Sequence, residues 1–148
     1  MRISAKGRYA LAAVTSMAQQ YNNGEHITVI SISEKLGISK IYLEQVFSML
    51  KRAGLLTSVK GAQGGYQLAR MPGQITVFDV LSAVETSLFE KTEDTVRENA
   101  PHIEAAMRLS AFDMLDQAVK DTLGQITLDD LITAAEKHKE NQAMMFYI

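Results

Sequence analysis

Apolar and small side chains recur at helical spacing through the start of the chain. Tyr9, Ala12, Ala13, Ser16 and Met17, with Leu11 and Val14 beside them, predict a helix over Arg2 to Tyr21. Asn22-Asn23-Gly24 ends it. His26 to Ile30 reads as a short strand running into a helix over Val29 to Leu36, with Gly37 as its stop. Ser39 is a good N-cap for a further helix, Lys40 to Ala53, whose apolar stripe is Leu43, Val46, Phe47 and Leu50. Gly54 stops that helix, and the period then changes. Leu55 to Lys60 and Gly65 to Ala69 carry the β-formers Leu56, Val59, Tyr66 and Leu68 and predict two strands.

Met71-Pro72-Gly73 breaks the chain again. Thr76 caps a helix to about Glu85, with Asp79 as its capping-box partner. Thr86 to Asn99 is charged, turn-like and expected to be mobile. Pro101 suits the first position of a long helix to Leu123. Its stripe is Ile103, Met107, Ala111, Met114, Leu115 and Ala118, and Gly124 stops it. Thr127 caps a last helix, Leu128 to about Lys139, with Asp129 and Asp130 favourably placed at its N-terminal dipole. Asn141 to Ile148 is left as a tail.

The pattern is mainly α with a small β-hairpin. It divides into residues 1–85 and a remainder, 86–148, of linker, long helix and C-terminal helix with tail. No apolar run reaches the roughly 20 residues of a membrane span. The start lacks the apolar stretch of a secretory signal. The chain has no cysteine, which removes disulfides, thiolate nucleophiles and thiolate-held clusters, and fits a cytoplasmic protein. The net charge of −2 hides a strong asymmetry. Residues 1–70 hold nine Lys/Arg against three Asp/Glu, and residues 71–148 hold six against fourteen. A basic half points to a polyanionic partner. Chance segregation of solvated charges is the plainer alternative.

Three of the nine glycines, Gly61, Gly64 and Gly65, fall between the two predicted strands. A phosphate-binding loop needs a helix directly after its glycines, opened by a Lys-Ser/Thr pair. Here Gly65-Tyr66-Gln67-Leu68 continues as strand, so the glycines close a hairpin, where positive φ costs glycine little. A helix-turn-helix followed at once by a hairpin predicts a winged helix. Its second helix suits the major groove, and its glycine-rich tip, flanked by Lys60, suits the sugar-phosphate backbone.

Four stretches, in order and spacing, carry a resemblance. They are AKGRYAL (5–11), ISKIYLEQVFSMLKRAGLL (38–56), SVKGAQGGYQLAR (58–70) and ITVFDVLSAVE (75–85). The chain resembles the Rrf2 family of bacterial winged-helix regulators, the IscR/NsrR/CymR type, closely over residues 1–85 and loosely beyond. The resemblance implies a homodimeric regulator of double-stranded DNA, usually a repressor, with an inverted-repeat operator and the long helix as dimer interface. By motif match it places Lys6, Arg8 and Tyr9 near the backbone. Ser39, Lys40, Ile41, Tyr42, Glu44 and Gln45 open the recognition helix, and Lys60, Gly61 and Gly64 form the wing. Lys and Arg suit phosphates, Gln45 a base edge and Glu44 a cytosine amino group. Ser39 is needed as a cap. Tyr42 serves equally as packing, Glu44 as surface charge and Arg70 as the solvated end of a strand.

Many members hold an iron–sulfur cluster through three cysteines before the long helix. Lys91 to Met107 has none, and His102 stands alone there, so neither metal nor cofactor is expected. The ending MFYI resembles the cysteine-metabolism repressor branch, which implies cysteine synthase as a partner engaged through Phe146, Tyr147 and Ile148. Packing of the same tail on its own dimer is the alternative. No histidine, cysteine or carboxylate constellation supports an enzyme. A winged helix used for protein interaction remains the other class, separable by the absence of salt-sensitive DNA affinity.

Overall fold

The computed structural model describes residues 1–21, 26–60 and 64–146. Helix α1 (Ala5–Gln19) starts after Ser4, whose Oγ accepts the Gly7 N–H. Its buried residues are Gly7, Ala10, Ala13, Val14, Ser16, Met17 and Ala18. Ala12, placed on the apolar stripe from the sequence, is exposed. The core-facing arc centres on Ala10, Val14 and Met17 instead. The helix begins three residues later than predicted because Ser4 is its cap. The predicted stop at Asn22 to Gly24 lies outside the described residues.

Helices α2 (Val29–Leu36) and α3 (Lys40–Arg52) form the helix-turn-helix, joined through Gly37 at φ 68°. Ser33 closes the corner, donating its hydroxyl to the Ile38 carbonyl at 2.5 Å. The strand predicted over His26 to Ile30 reduces to one bridge, Ile27 to Tyr66, because Thr28 already caps α2. Strands β1 (Leu56–Val59) and β2 (Gly65–Leu68) pair antiparallel, Leu56 opposite Leu68 and Val59 opposite Gly65. Gly65 runs hard against the chain before α2. A Cβ there would stand 2.8 Å from the Ile27 carbonyl oxygen. The second glycine of the pair therefore lets three chain segments close on one another.

A 3-10 turn (Pro72–Gln74) leads into α4 (Val77–Val84), held at its start by the Thr76–Asp79 capping box. After turns over residues 85–100 comes the long helix, and here the structure departs from the expected single rod. It consists of α5 (Pro101–Met107), a π-helical segment (Arg108–Phe112) and α6 (Asp113–Gly124). Helix α7 (Leu128–Phe146) then runs back. It was expected to end near Lys139. The segment from Gln125 to Phe146 contains no glycine or proline and is rich in good helix formers, so nothing stops it.

Helices α4 and α7 begin alike, with ITVFD and ITLDD. Thr127 and Asp130 repeat the capping box of Thr76 and Asp79. The two starts bridge: Val77 N–H donates to the Ile126 carbonyl at 2.8 Å and Leu128 N–H to the Ile75 carbonyl at 3.0 Å. This brings Leu128 into one core with Met17, Ile32, Leu43, Phe47, Leu50, Leu56 and Val80. A side chain from the last helix is thus fully buried in the core shared with α1 to α4. Truncating a side chain so enclosed costs about 2–5 kcal/mol.

Candidate nucleic-acid interface

The stripe Leu43, Val46, Phe47 and Leu50 is fully buried and fixes the rotation of α3. The opposite face is therefore presented outward. Ser39 spends its side chain on the cap, accepting the Tyr42 N–H at 3.2 Å, which leaves the first turn free to point away from the core. Tyr42 is half-buried and meets Tyr9 edge to face, ring centres 4.9 Å apart. These two tyrosines pack α1 against the start of α3.

Ile41, Glu44 and Gln45 line an open groove of about 620 Å3 with Lys6, Ser48, Met49 and Arg52. Ile41 is 73% exposed, an unusual state for a β-branched apolar side chain and one suited to a thymine methyl group. Lys40 and Glu44 form an exposed ion pair at 3.8 Å. Such pairs are worth only about 0–1 kcal/mol, so either partner is released cheaply to a phosphate or a base. Ser48 and Arg52 escaped the sequence reading. The signal was there, since positions 41, 45, 48 and 52 share one face opposite the apolar stripe.

Arg8 is exposed, its Nη1 donating to the Ile3 carbonyl at 2.7 Å. Lys60 is exposed at the end of β1, and Gly64 is exposed at the start of the return strand. Gly61 lies outside the described residues. The hairpin is tied to α3 by Lys51 Nζ, which donates to Ser58 Oγ at 2.6 Å. Arg70 turns away from this surface, reaching the Gln74 carbonyl at 3.4 Å and Asp79 at 3.8 Å.

The remaining sequence candidates lie elsewhere. Along the long helix Ile103, Leu109, Met114 and Leu115 are 48%, 68%, 64% and 61% exposed. Ala111 and Ala118 are exposed too, and Met107 is half-buried. Leu109 joins this surface where the π turn re-phases the stripe. Helix α6 leans on α4, with Lys120 Nζ 5.6 Å above the Phe78 ring and Phe78 edge-on to Phe89 at 5.1 Å. Phe146 is exposed at the end of α7, while Tyr147 and Ile148 lie outside the described residues. No helix among the described residues is long and apolar enough to cross a membrane.

The family model for Rrf2, iron-dependent transcriptional regulator, matches residues 3–134. The chain is 37% identical over 136 residues to the transcriptional regulator IscR of Xenorhabdus nematophila, covering 92% of this chain and 82% of that protein. It is 36% identical over 150 residues to the regulator CymR of Bacillus subtilis, covering all of both. The solved structure of CymR, the global cysteine regulator of B. subtilis, superposes with a TM-score of 0.71 at 34% identity, over 90% of this chain and 98% of that one. The iron in the family's description is not matched by the donors of the described residues. The chain has no cysteine, and among the described residues no three His, Asp or Glu converge on a metal position. Asp94, before the long helix, is engaged by arginines, and Glu104, in its first turn, by backbone N–H groups.

Proposed function

The chain belongs to the Rrf2 family of transcriptional regulators, and on that premise we propose a homodimeric repressor of cysteine and sulfur-metabolism genes. Its signal is a protein partner or a small molecule, not an iron–sulfur cluster. The observation that carries the DNA-binding reading is the outward face of α3, where Ile41, Glu44, Gln45, Ser48 and Arg52 share one groove with Lys6 of α1. A major groove about 12 Å wide admits such a helix. Ile41, Glu44 and Gln45 meet base edges, while Lys6, Arg8, Lys40, Arg52 and Lys60 meet phosphates. The wing strands β1 and β2, with Gly64 exposed beside them, are assigned to the flanking backbone. Ser39 caps the reading helix, and Tyr9 and Tyr42 hold its angle.

The exposed apolar row of the long helix supplies the two-fold contact. A two-fold protein reads an inverted repeat. The pathway rests on the end-to-end match with CymR together with the absence of cysteine. Cysteine synthase is the partner this reading assigns to Phe146, Tyr147 and Ile148, whose aromatic and aliphatic side chains suit a pocket on that partner. The test is a gel-shift series across salt with genomic fragments captured by the purified protein. Binding should weaken steeply with salt, and the captured fragments should flank sulfur-metabolism genes. Salt-independent binding would leave a protein-interaction module instead. Fragments from an unrelated pathway would keep the regulator and discard the cysteine assignment.

A further inference from the structure

A second polar cavity lies beside the first turns of the long helix, away from the α3 face. It measures about 290 Å3 and is lined by Asp94, Arg97, Pro101, Glu104, Ala105 and Arg108. Two of its groups are buried with unmet hydrogen-bonding capacity. Glu104 is only 5% exposed. Its Oε1 accepts the N–H groups of Thr95 and Val96, the latter at 2.9 Å. Its Oε2 is buried without a hydrogen-bond partner among the described residues. Arg108 gives Nη2 to the Thr92 carbonyl and, at 3.0 Å, to Asp94 Oδ1. Its Nη1 is also buried without a hydrogen bond among the described residues, with Asp113 Oδ1 at 4.0 Å.

Leaving such a group unmet is unfavourable, and more so when it is charged. Here an acceptor and a donor of opposite charge line the same cavity. A third observation falls at the same place. Arg108 is the first residue of the π segment, and its carbonyl accepts the Asp113 N–H. Single π turns inside α-helices are rare and gather at functional sites.

We propose that this cavity is a binding site for a small zwitterion of the α-amino-acid class. Its ammonium group meets Glu104 Oε2, and its carboxylate meets Arg108 Nη1 and Arg97. An anion alone leaves Glu104 without a donor and faces Asp94. A cation alone leaves Arg108 without an acceptor. The two carboxylates and two guanidinium groups of the lining balance, which suits a ligand of no net charge. Both unmet atoms are shut off from water, so entry requires the cavity's exposed side to open. Arg97, with 78% of its side chain exposed, forms that side. A ligand holding Arg108 also acts on the π turn, and so on the helix assigned to dimerisation. This coupling, unlike the site itself, rests on the proposed function above.

The site is tested by calorimetric titration of the full chain, without DNA, using each proteinogenic L-amino acid in turn. Propionate and ethylammonium serve as single-charge halves. At least one amino acid should bind and neither half should. Glu104→Gln keeps an oxygen for Thr95 and Val96 but replaces Oε2 with an amide NH2. It should weaken binding about tenfold or more while leaving the unfolding temperature and ligand-free DNA affinity in place. Arg97→Ala, at an exposed position, should weaken binding without affecting folding. The proposal is overturned if no amino acid binds, if a single-charge half binds as well, or if Glu104→Gln binds unchanged. It is also overturned if Glu104→Gln shifts the monomer–dimer equilibrium instead, because a second copy then meets the buried groups. An amino acid that binds a chain lacking salt-sensitive DNA affinity would sink the repressor and leave the cavity standing.

Discussion

Gly7 and Glu85, far apart in sequence, meet so closely that no Cβ fits on Gly7 unless the Glu85 side chain shifts. A Cβ on Gly7 would stand 2.1 Å from Glu85 Oε1 and 2.9 Å from Ile3 Cγ2. That same oxygen accepts both the N–H and the hydroxyl of Ser4, each at 2.9 Å. Ser4 in turn caps α1 through the Gly7 N–H at 3.1 Å. The arrangement locks the start of the first helix to the end of α4. Gly7→Ala should therefore cost about 1–3 kcal/mol through overpacking. Chemical denaturation should show a lower midpoint with an unchanged slope. An equal midpoint would mean that Glu85 swings aside freely.

At the candidate DNA face, Lys60→Ala and Arg52→Ala should weaken binding to all sequences alike and lower the salt slope by about one each. Gln45→Ala should instead cost about 1–3 kcal/mol at one base-pair position and little at others. Competition gel shifts with single-position operator variants separate the two behaviours. Uniform weakening by Gln45→Ala would remove it from the base-reading set.

Leu115 is 61% exposed in the single chain, so Leu115→Glu should leave the protomer folded. It should nonetheless yield monomers in sedimentation and bind an inverted repeat poorly. Met107 is half-buried within its own protomer and makes a less clean probe. A charged Leu115 variant that still sediments as a dimer would place the contact elsewhere.

Met145 and Phe146 are exposed, so deleting Met145 to Ile148 should leave unfolding and intrinsic DNA binding unchanged. Association with cysteine synthase, followed by sedimentation, should disappear, and Ile148→Ala should weaken it. Loss of dimerisation on truncation would assign the tail to the protein's own interface.

The Asp94 carboxyl is held below its ordinary 3.8, first by the hydrogen bond from Arg108 and further by the charges of Arg108 and Arg97, against an opposing effect of desolvation. A depressed carboxylate favours the folded state at pH values above its unfolded pKa, and that contribution is lost as pH falls through the folded value. Asp94→Asn should therefore lower the unfolding temperature at neutral pH. The difference from the unmodified chain should close on acidification below the usual carboxylate range. A difference that persists there would trace the effect to packing.

Helix-turn-helix, hairpin, the Thr76–Asp79 capping box and the outward Lys40, Ile41, Glu44 and Gln45 of α3 were read from the sequence, while Ser48 and Arg52 on the same face were passed over. Each depends on neighbours within a turn or two. Ser39 caps its own helix, Leu43 to Leu50 share one face by periodicity, and Thr76 with Asp79 form a box three residues apart. Tertiary contacts alone decided the rest. Gly7 looks like a helix weakness until Glu85 is brought against it. Leu128 looks like the start of a peripheral helix until the Thr76–Thr127 bridge carries it into the core. The π turn at Arg108 breaks a stripe whose spacing reads as unbroken α-helix, and the side chain of that arginine is held by the Thr92 carbonyl and Asp94 from the preceding loop. Periodicity reports which face of an element is apolar. Which distant group meets that face depends on how the elements close on one another, and a local pattern carries no record of that.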